Sequence, residues 1–200
     1  ANDFKIVWTH TMDQKSKPGT NFSASVDVGS SNYNMINGRT ANMVLNNQYT
    51  SSISYAKTWI GKPYTFNASL RHNQSTQTGL VTVTLPELNF ALGQLSPFQR
   101  KQMIGSAKWY EKITTSYNIR MVNQINFYDT LFNKIKLNDF NNGLLQSLNV
   151  QANYNVLKYF TLGFSMPYNE YWNTKQMYIM GIPTNNRDTT TNHGFYATRD

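Results

Sequence analysis

The chain has 200 residues, of which 40% are hydrophobic, 14% aromatic and only 14% charged, its polarity coming from Asn, Gln, Ser and Thr. Charged residues fall below the roughly 25% of a typical soluble domain, and disordered chains are poor in aromatics, which argues against disorder; uncharged-polar plus aromatic suits a β-barrel with a wet lumen and aromatic girdles. The formal charge of +8 points to phosphate-bearing partners, yet no nucleic-acid-binding motif accompanies it, so a polyanionic lipid is expected and nucleic acid is not.

Period-two alternation predicts strands throughout. Asp3 to Thr11 sets Phe4, Ile6 and Trp8 against Lys5, Val7 and Thr9, until MDQKSKPG breaks it. TNFSASVDV sets Phe22, Ala24, Val26 and Val28 opposite Asn21, Ser23, Ser25 and Asp27. A long polar stretch, 29–46, precedes a strand from Tyr49 to Trp59, and Ile60-Gly61-Lys62-Pro63 turns into YTFNASLRHN. There Tyr64, Phe66, Ala68, Leu70 and His72 oppose Thr65, Asn67, Ser69, Arg71 and Asn73. LVTVTLPELNFAL follows, with Pro86 expected at an edge, a bulge or a strand end because it cannot donate to a ladder. Trp109 to Asn126 reads as one long strand. After another polar stretch, 127–143, NVQANYNV and FTLGFSM form a hairpin across Leu157-Lys158, the eighth strand running to about Lys175. A ninth is possible at Met177 to Ile182.

Helical periodicity is absent over any useful length, and no run of about 18 apolar residues could form a transmembrane helix. The opening ANDFKIVWTH has no basic n-region or apolar h-region, which reads as a mature or excised chain without a signal peptide. Compact links near 12–19, 60–63 and 157–158 alternate with long ones near 29–46 and 127–143, as short periplasmic turns alternate with long external loops in outer-membrane barrels. Two links dissent: 93–107 is long on the short side, and 74–79 is short on the other. Trp8, Trp59, Tyr64, Trp109, Tyr159 and Trp172 fall near strand ends, where amphipathic rings meet headgroups. Strands of about 9–11 residues suffice to cross a bilayer, and a sheet in hydrocarbon must close to satisfy its backbone. The expected fold class is therefore all-β, an antiparallel transmembrane β-barrel, with residues 1–200 forming a single region of about eight or nine strands.

Catalytic chemistry has no visible carrier. The ten acids are scattered, His10, His72 and His193 are isolated from one another, and there is no GxGxxG, P-loop or metal-ligand spacing. Without Cys there is neither a disulfide framework nor a thiolate metal site. No enzyme activity, catalytic residue, metal or cofactor is expected. One segment is charge-rich, PFQRKQMIGSAKWYEKI from Pro97 to Ile113. It reads either as a solvated turn or as a phosphate-facing rim with Arg100, Lys101, Lys108 and Lys112 as its cations.

TNFSASVDVGSSNY after HTMDQKSKPG, then TLPELNF, PFQRK, KWYEKI and NVLKYFTLGFSMPYNEYW occur in that order. Together, through most of Asp3 to Trp172, they resemble the β-barrel region of the Bacteroidota-type lipopolysaccharide-assembly outer-membrane proteins, the LptD family. The resemblance implies a portion of a large barrel in the outer membrane of a Gram-negative bacterium, which translocates lipopolysaccharide and inserts it into the outer leaflet through a lateral gate. It implies as partners lipopolysaccharide, the outer-membrane bilayer, a plug lipoprotein resembling LptE and periplasmic bridge proteins. Family members carry a periplasmic domain before the barrel; none is visible in these residues.

A sugar-rich, phosphorylated headgroup needs a polar lumen. Asn67, Ser69, Arg71, Asn149, Gln151, Asn153 and Asn155 are the expected lumen-facing path. Phe66, Leu70, Val150, Tyr154, Phe160, Leu162 and Phe164 are expected to face lipid. Alternatives from the residues alone are a smaller porin or adhesion-type barrel, the barrel of a protein-export translocon, and a soluble β-sandwich.

Overall fold

The structure is a computed structural model that describes residues 3–30, 32–38, 40–41, 48–102, 105–156, 159–180 and 188–200. Nine strands follow one another: β1 Lys5–Thr11, β2 Thr20–Gly29, β3 Gln48–Thr58, β4 Tyr64–Ser75, β5 Leu80–Leu95, β6 Ile113–Tyr128, β7 Asn141–Val156, β8 Phe160–Met180 and β9 Asp188–Arg199. They form one sheet in sequence order, β1 to β9. The all-β expectation holds. The helical pieces among the described residues are short: α1 at Tyr33–Asn37, and 3-10 turns at Trp109–Lys112, Asp129–Lys134 and Leu137–Asp139.

Several expectations need correction. Trp109 does not open a strand: the Glu111 carboxylate accepts the Lys108 backbone N–H at 2.7 Å, which bends residues 109–112 into a 3-10 turn before β6 begins. Of the three places expected for Pro86, the sheet edge and the strand end are excluded: it lies inside β5, between β4 and β6. The eighth strand runs on to Met180, and the ninth is Asp188–Arg199 rather than 177–182. Trp172 consequently sits within β8, paired with Leu144 and Ala197, instead of at a strand end. The expected turn at Leu157-Lys158 lies outside the described residues.

The chain divides into two compact units. The first comprises Ala1–Lys57, Asn67–Leu88 and Met121–Asn142. Its core holds Ala24, Tyr49, Val81 and Ile125. Tyr49 is fully buried, with the Lys5 ammonium 5.2 Å from its ring centroid and its hydroxyl 3.4 Å from the Ser30 carbonyl. Gly29 makes room for it: a Cβ there would lie 2.9 Å from the Phe4 carbonyl oxygen and 3.1 Å from the Tyr49 ring.

The second unit comprises Thr58–Phe66, Asn89–Arg120 and Gly143–Asp200. Around its compact β3–β4 link, Trp59 meets Tyr64 edge-on at 6.3 Å and Tyr64 stacks on Phe90 at 6.5 Å. The Gly93 N–H donates to the Pro63 carbonyl at 2.7 Å. Trp59 and Tyr64 do flank the link at strand ends, as the sequence implies, whereas Trp8 lies at the centre of β1 rather than near its end.

Candidate functional site

The β7–β8 hairpin of the second unit turns sequence alternation into two chemically opposite faces. Its register sets Val150 opposite Met166, Ala152 opposite Phe164, Tyr154 opposite Leu162 and Val156 opposite Phe160. Side chains directly opposite share a face, so these form one apolar row. Tyr154 and Phe164 meet diagonally with centroids 6.1 Å apart in a T-shaped arrangement. With Ile113, Val150, Ala152 and Met166 they line a shallow groove of about 450 Å³.

The other face is a row of amides and hydroxyls. Gln151 pairs with Ser165, Asn153 with Gly163 and Asn155 with Thr161. The Thr161 hydroxyl donates to Asn155 Oδ1 at 3.2 Å, Ser165 to Asn149 Oδ1 at 3.3 Å, and Ser147 to Asn169 Oδ1 at 2.8 Å. Gly163 leaves space for its neighbour: a Cβ there would stand 3.1 Å from Asn153 Oδ1. The four residues Asn149, Gln151, Asn153 and Asn155 thus share one surface, and Val150 and Tyr154 share the opposite one with Phe160, Leu162 and Phe164.

The apolar row has a sharp upper limit that sequence alternation does not reveal. Beyond Leu148–Tyr168, the same face carries Gln146 opposite Glu170, and Glu170 in turn is opposite Arg199. Arg199 Nε donates to Glu170 Oε1 at 2.9 Å, and the Tyr117 hydroxyl donates to Gln146 Oε1 at 2.7 Å. Residue pairing between four strands assembles this cluster, so only the register could have shown it. From Leu148 to Val156 the row is nine residues long, within the roughly 9–11 that a tilted strand needs to cross a bilayer.

In the first unit, Asn67, Ser69 and Arg71 lie on one face of β4. Arg71 forms an ion pair with Glu87 of β5, so its charge is balanced within the sheet. Phe66 and Leu70 of the same strand are half-buried and alternate with them.

Of the four rim cations, Arg100 is committed internally. Its guanidinium grips both oxygens of Glu111, whose side chain is 1% exposed. The Arg100 hydrogen bonds and the Lys108 backbone N–H hold the Glu111 carboxyl below the usual carboxylate range, and Glu111 raises Arg100 in return. Lys101, Lys108 and Lys112 are exposed.

Phe160, Leu162, Phe164, Met166 and Tyr168 are all among the exposed large apolar residues. A continuous apolar surface of this kind is covered by another protein or by lipid.

A model of the family described as LptD protein matches residues 1–200. The chain belongs to the LptD family. No curated protein and no solved structure matches it. LptD proteins are an outer-membrane family that transports lipopolysaccharide, and the all-β sheet with two opposed faces fits that family.

Proposed function

We propose that this chain forms wall strands of an outer-membrane barrel that translocates lipopolysaccharide and inserts it into the outer leaflet. The observation that carries the reading is the β7–β8 register, which separates an unbroken apolar row from an unbroken amide and hydroxyl row in an LptD-family chain. The Val150–Tyr154 row meets lipid, together with Phe66 and Leu70, while Asn149, Gln151, Asn153 and Asn155, with Asn67, Ser69 and Arg71, line the watery path. Neutral amides and hydroxyls hydrogen-bond sugar hydroxyls without the long-lived ion pairs that would retain a polyanion. The acyl chains need an exit between strands, and a plug lipoprotein and periplasmic bridge proteins would complete the route. A match that spans the chain favours this reading over a porin, an adhesion-type barrel or a protein-export translocon.

Charge substitutions in the full-length protein test the faces. Asn149→Asp and Asn153→Asp should leave folded protein in the outer membrane, whereas Val150→Asp and Ala152→Asp should abolish its assembly. The opposite pattern would invert the assignment. Assembly of all four variants would remove the lipid-facing row altogether.

A further inference from the structure

One motif remains outside the wall: the β5–β6 connection, the long link on the side where compact ones prevail. It carries Arg100, Lys101, Lys108 and Lys112 against Glu111 alone, a net charge of +3. It also holds two large rings in the open, Trp109 at 68% and Phe98 at 56% exposure. Both rings stand on a connection that also carries three exposed lysines. Aromatic rings beside lysines are the signature of a segment that lies in a membrane interface.

Its placement supports that role. The Tyr154 hydroxyl donates to the Trp109 carbonyl at 3.0 Å, and the Lys112 ammonium lies 5.8 Å from the Tyr154 ring centroid. Tyr154 belongs to the apolar row, so the 109–112 turn is tied to the lower end of that row. The Lys108 ammonium lies 5.9 Å from the Tyr110 ring centroid. The Arg100–Glu111 pair, with the Lys108 N–H on Glu111, holds the two halves of the connection together. Arg100 is therefore the fastener, while Lys101, Lys108 and Lys112 are exposed.

We propose that this connection is an interfacial anchor. Trp109 and Phe98 enter the boundary between headgroups and acyl chains, and Lys101, Lys108 and Lys112 bind the phosphates of anionic glycerophospholipids in the adjoining leaflet. The inference rests on reading the chain as a membrane-barrel wall. The compact β3–β4 link emerges at the same strand ends, which places the anchor on the periplasmic leaflet of such a barrel. A long link on the short-turn side then has a purpose.

The test uses the full-length protein in liposomes containing phosphatidylglycerol and acyl-brominated lipid, with tryptophan emission as the readout. The share of Trp109 in the protein's tryptophan emission is the difference between the parent and Trp109→Phe. That share should be quenched, and the combined Lys101→Gln, Lys108→Gln and Lys112→Gln variant should release it. Each lysine near an anionic surface is worth about fivefold, or about 1 kcal/mol, so the triple change should weaken docking about a hundredfold. Quenching of the other tryptophans without Trp109 would overturn the anchor and leave the membrane wall standing. No quenching of any tryptophan would remove the wall itself. Quenching unaffected by the triple change would overturn the phosphate contacts. Quenching that needs lipopolysaccharide in place of phosphatidylglycerol would overturn the choice of leaflet and lipid.

Discussion

Arginine placed along the apolar row of β7 should report depth. Ala152 lies at the middle of the nine-residue row, with Leu148 and Val156 at its limits. On the lipid face of a barrel, Arg costs about 2–4 kcal/mol at the bilayer midplane and about 0–1 kcal/mol near the interfaces. Ala152→Arg should therefore destabilise the folded protein by about 2–4 kcal/mol, Leu148→Arg and Val156→Arg by about 1 kcal/mol or less, and Asn153→Arg by little. Ala152 is a sensitive position because truncating packing contributes little there, so the penalty is chiefly that of charge in hydrocarbon. Reversible denaturant unfolding of the full-length protein in phospholipid vesicles, followed by tryptophan emission, gives the free energies. A flat profile across Leu148, Ala152 and Val156 would refute the reasoning. So would a cost at Asn153 larger than that at Ala152.

Two further outcomes follow from packing and charge. Gly29→Ala should destabilise the first unit by about 1–3 kcal/mol, because the new Cβ would meet the Phe4 carbonyl oxygen at 2.9 Å and a buried ring; a lowered unfolding midpoint checks it, and a neutral result would show that β1 shifts freely. The Glu111 carboxyl titrates below its ordinary value because Arg100 and the Lys108 N–H favour its ionised form. Its stabilising contribution is thus complete above the unfolded carboxyl pKa of about 4.3 and is lost as pH falls through the depressed folded value. Limited proteolysis of the β5–β6 connection should accelerate over that acidic range, and Glu111→Gln should cleave faster near neutrality with the acid dependence gone.

The strands were legible wherever one residue in two was apolar. NVQANYNV and FTLGFSM announced both the hairpin and the division of its side chains, because a period of two fixes the face before any partner is known. What alternation could not supply was pairing between distant segments. Glu170 looks like a polar interruption in MPYNEYW; only the β8–β9 and β7–β8 registers bring Arg199 and Gln146 to it. Arg100 and Glu111, eleven positions apart, read as independent charges until the connection folds back and pairs them. Trp109 misled for the same reason, since a buried carboxylate on a backbone N–H overrode the strand preference of an aromatic residue. The β9 segment hid its strand because TTTNH lacks the alternating apolar residues that marked the others.

The two limits of the apolar row make the strongest argument for lipid as its covering. Above, the row ends where Gln146, Glu170 and Arg199 form a hydrogen-bonded polar cluster beside Tyr168 and Trp172. Below, near its Val156 limit, Tyr154 holds the Trp109 carbonyl and Lys112 lies against the Tyr154 ring. A protein partner packed on this face would impose no fixed spacing between those limits, and polar groups could be scattered across it wherever the partner supplied a complement. A bilayer does impose one, since its hydrocarbon excludes unpaired polar groups and its two interfaces attract amphipathic rings and snorkelling cations. The five β7 positions of the row, Leu148, Val150, Ala152, Tyr154 and Val156, span nine residues with no charged group among them or their β8 partners, which supports the proposed lipid covering.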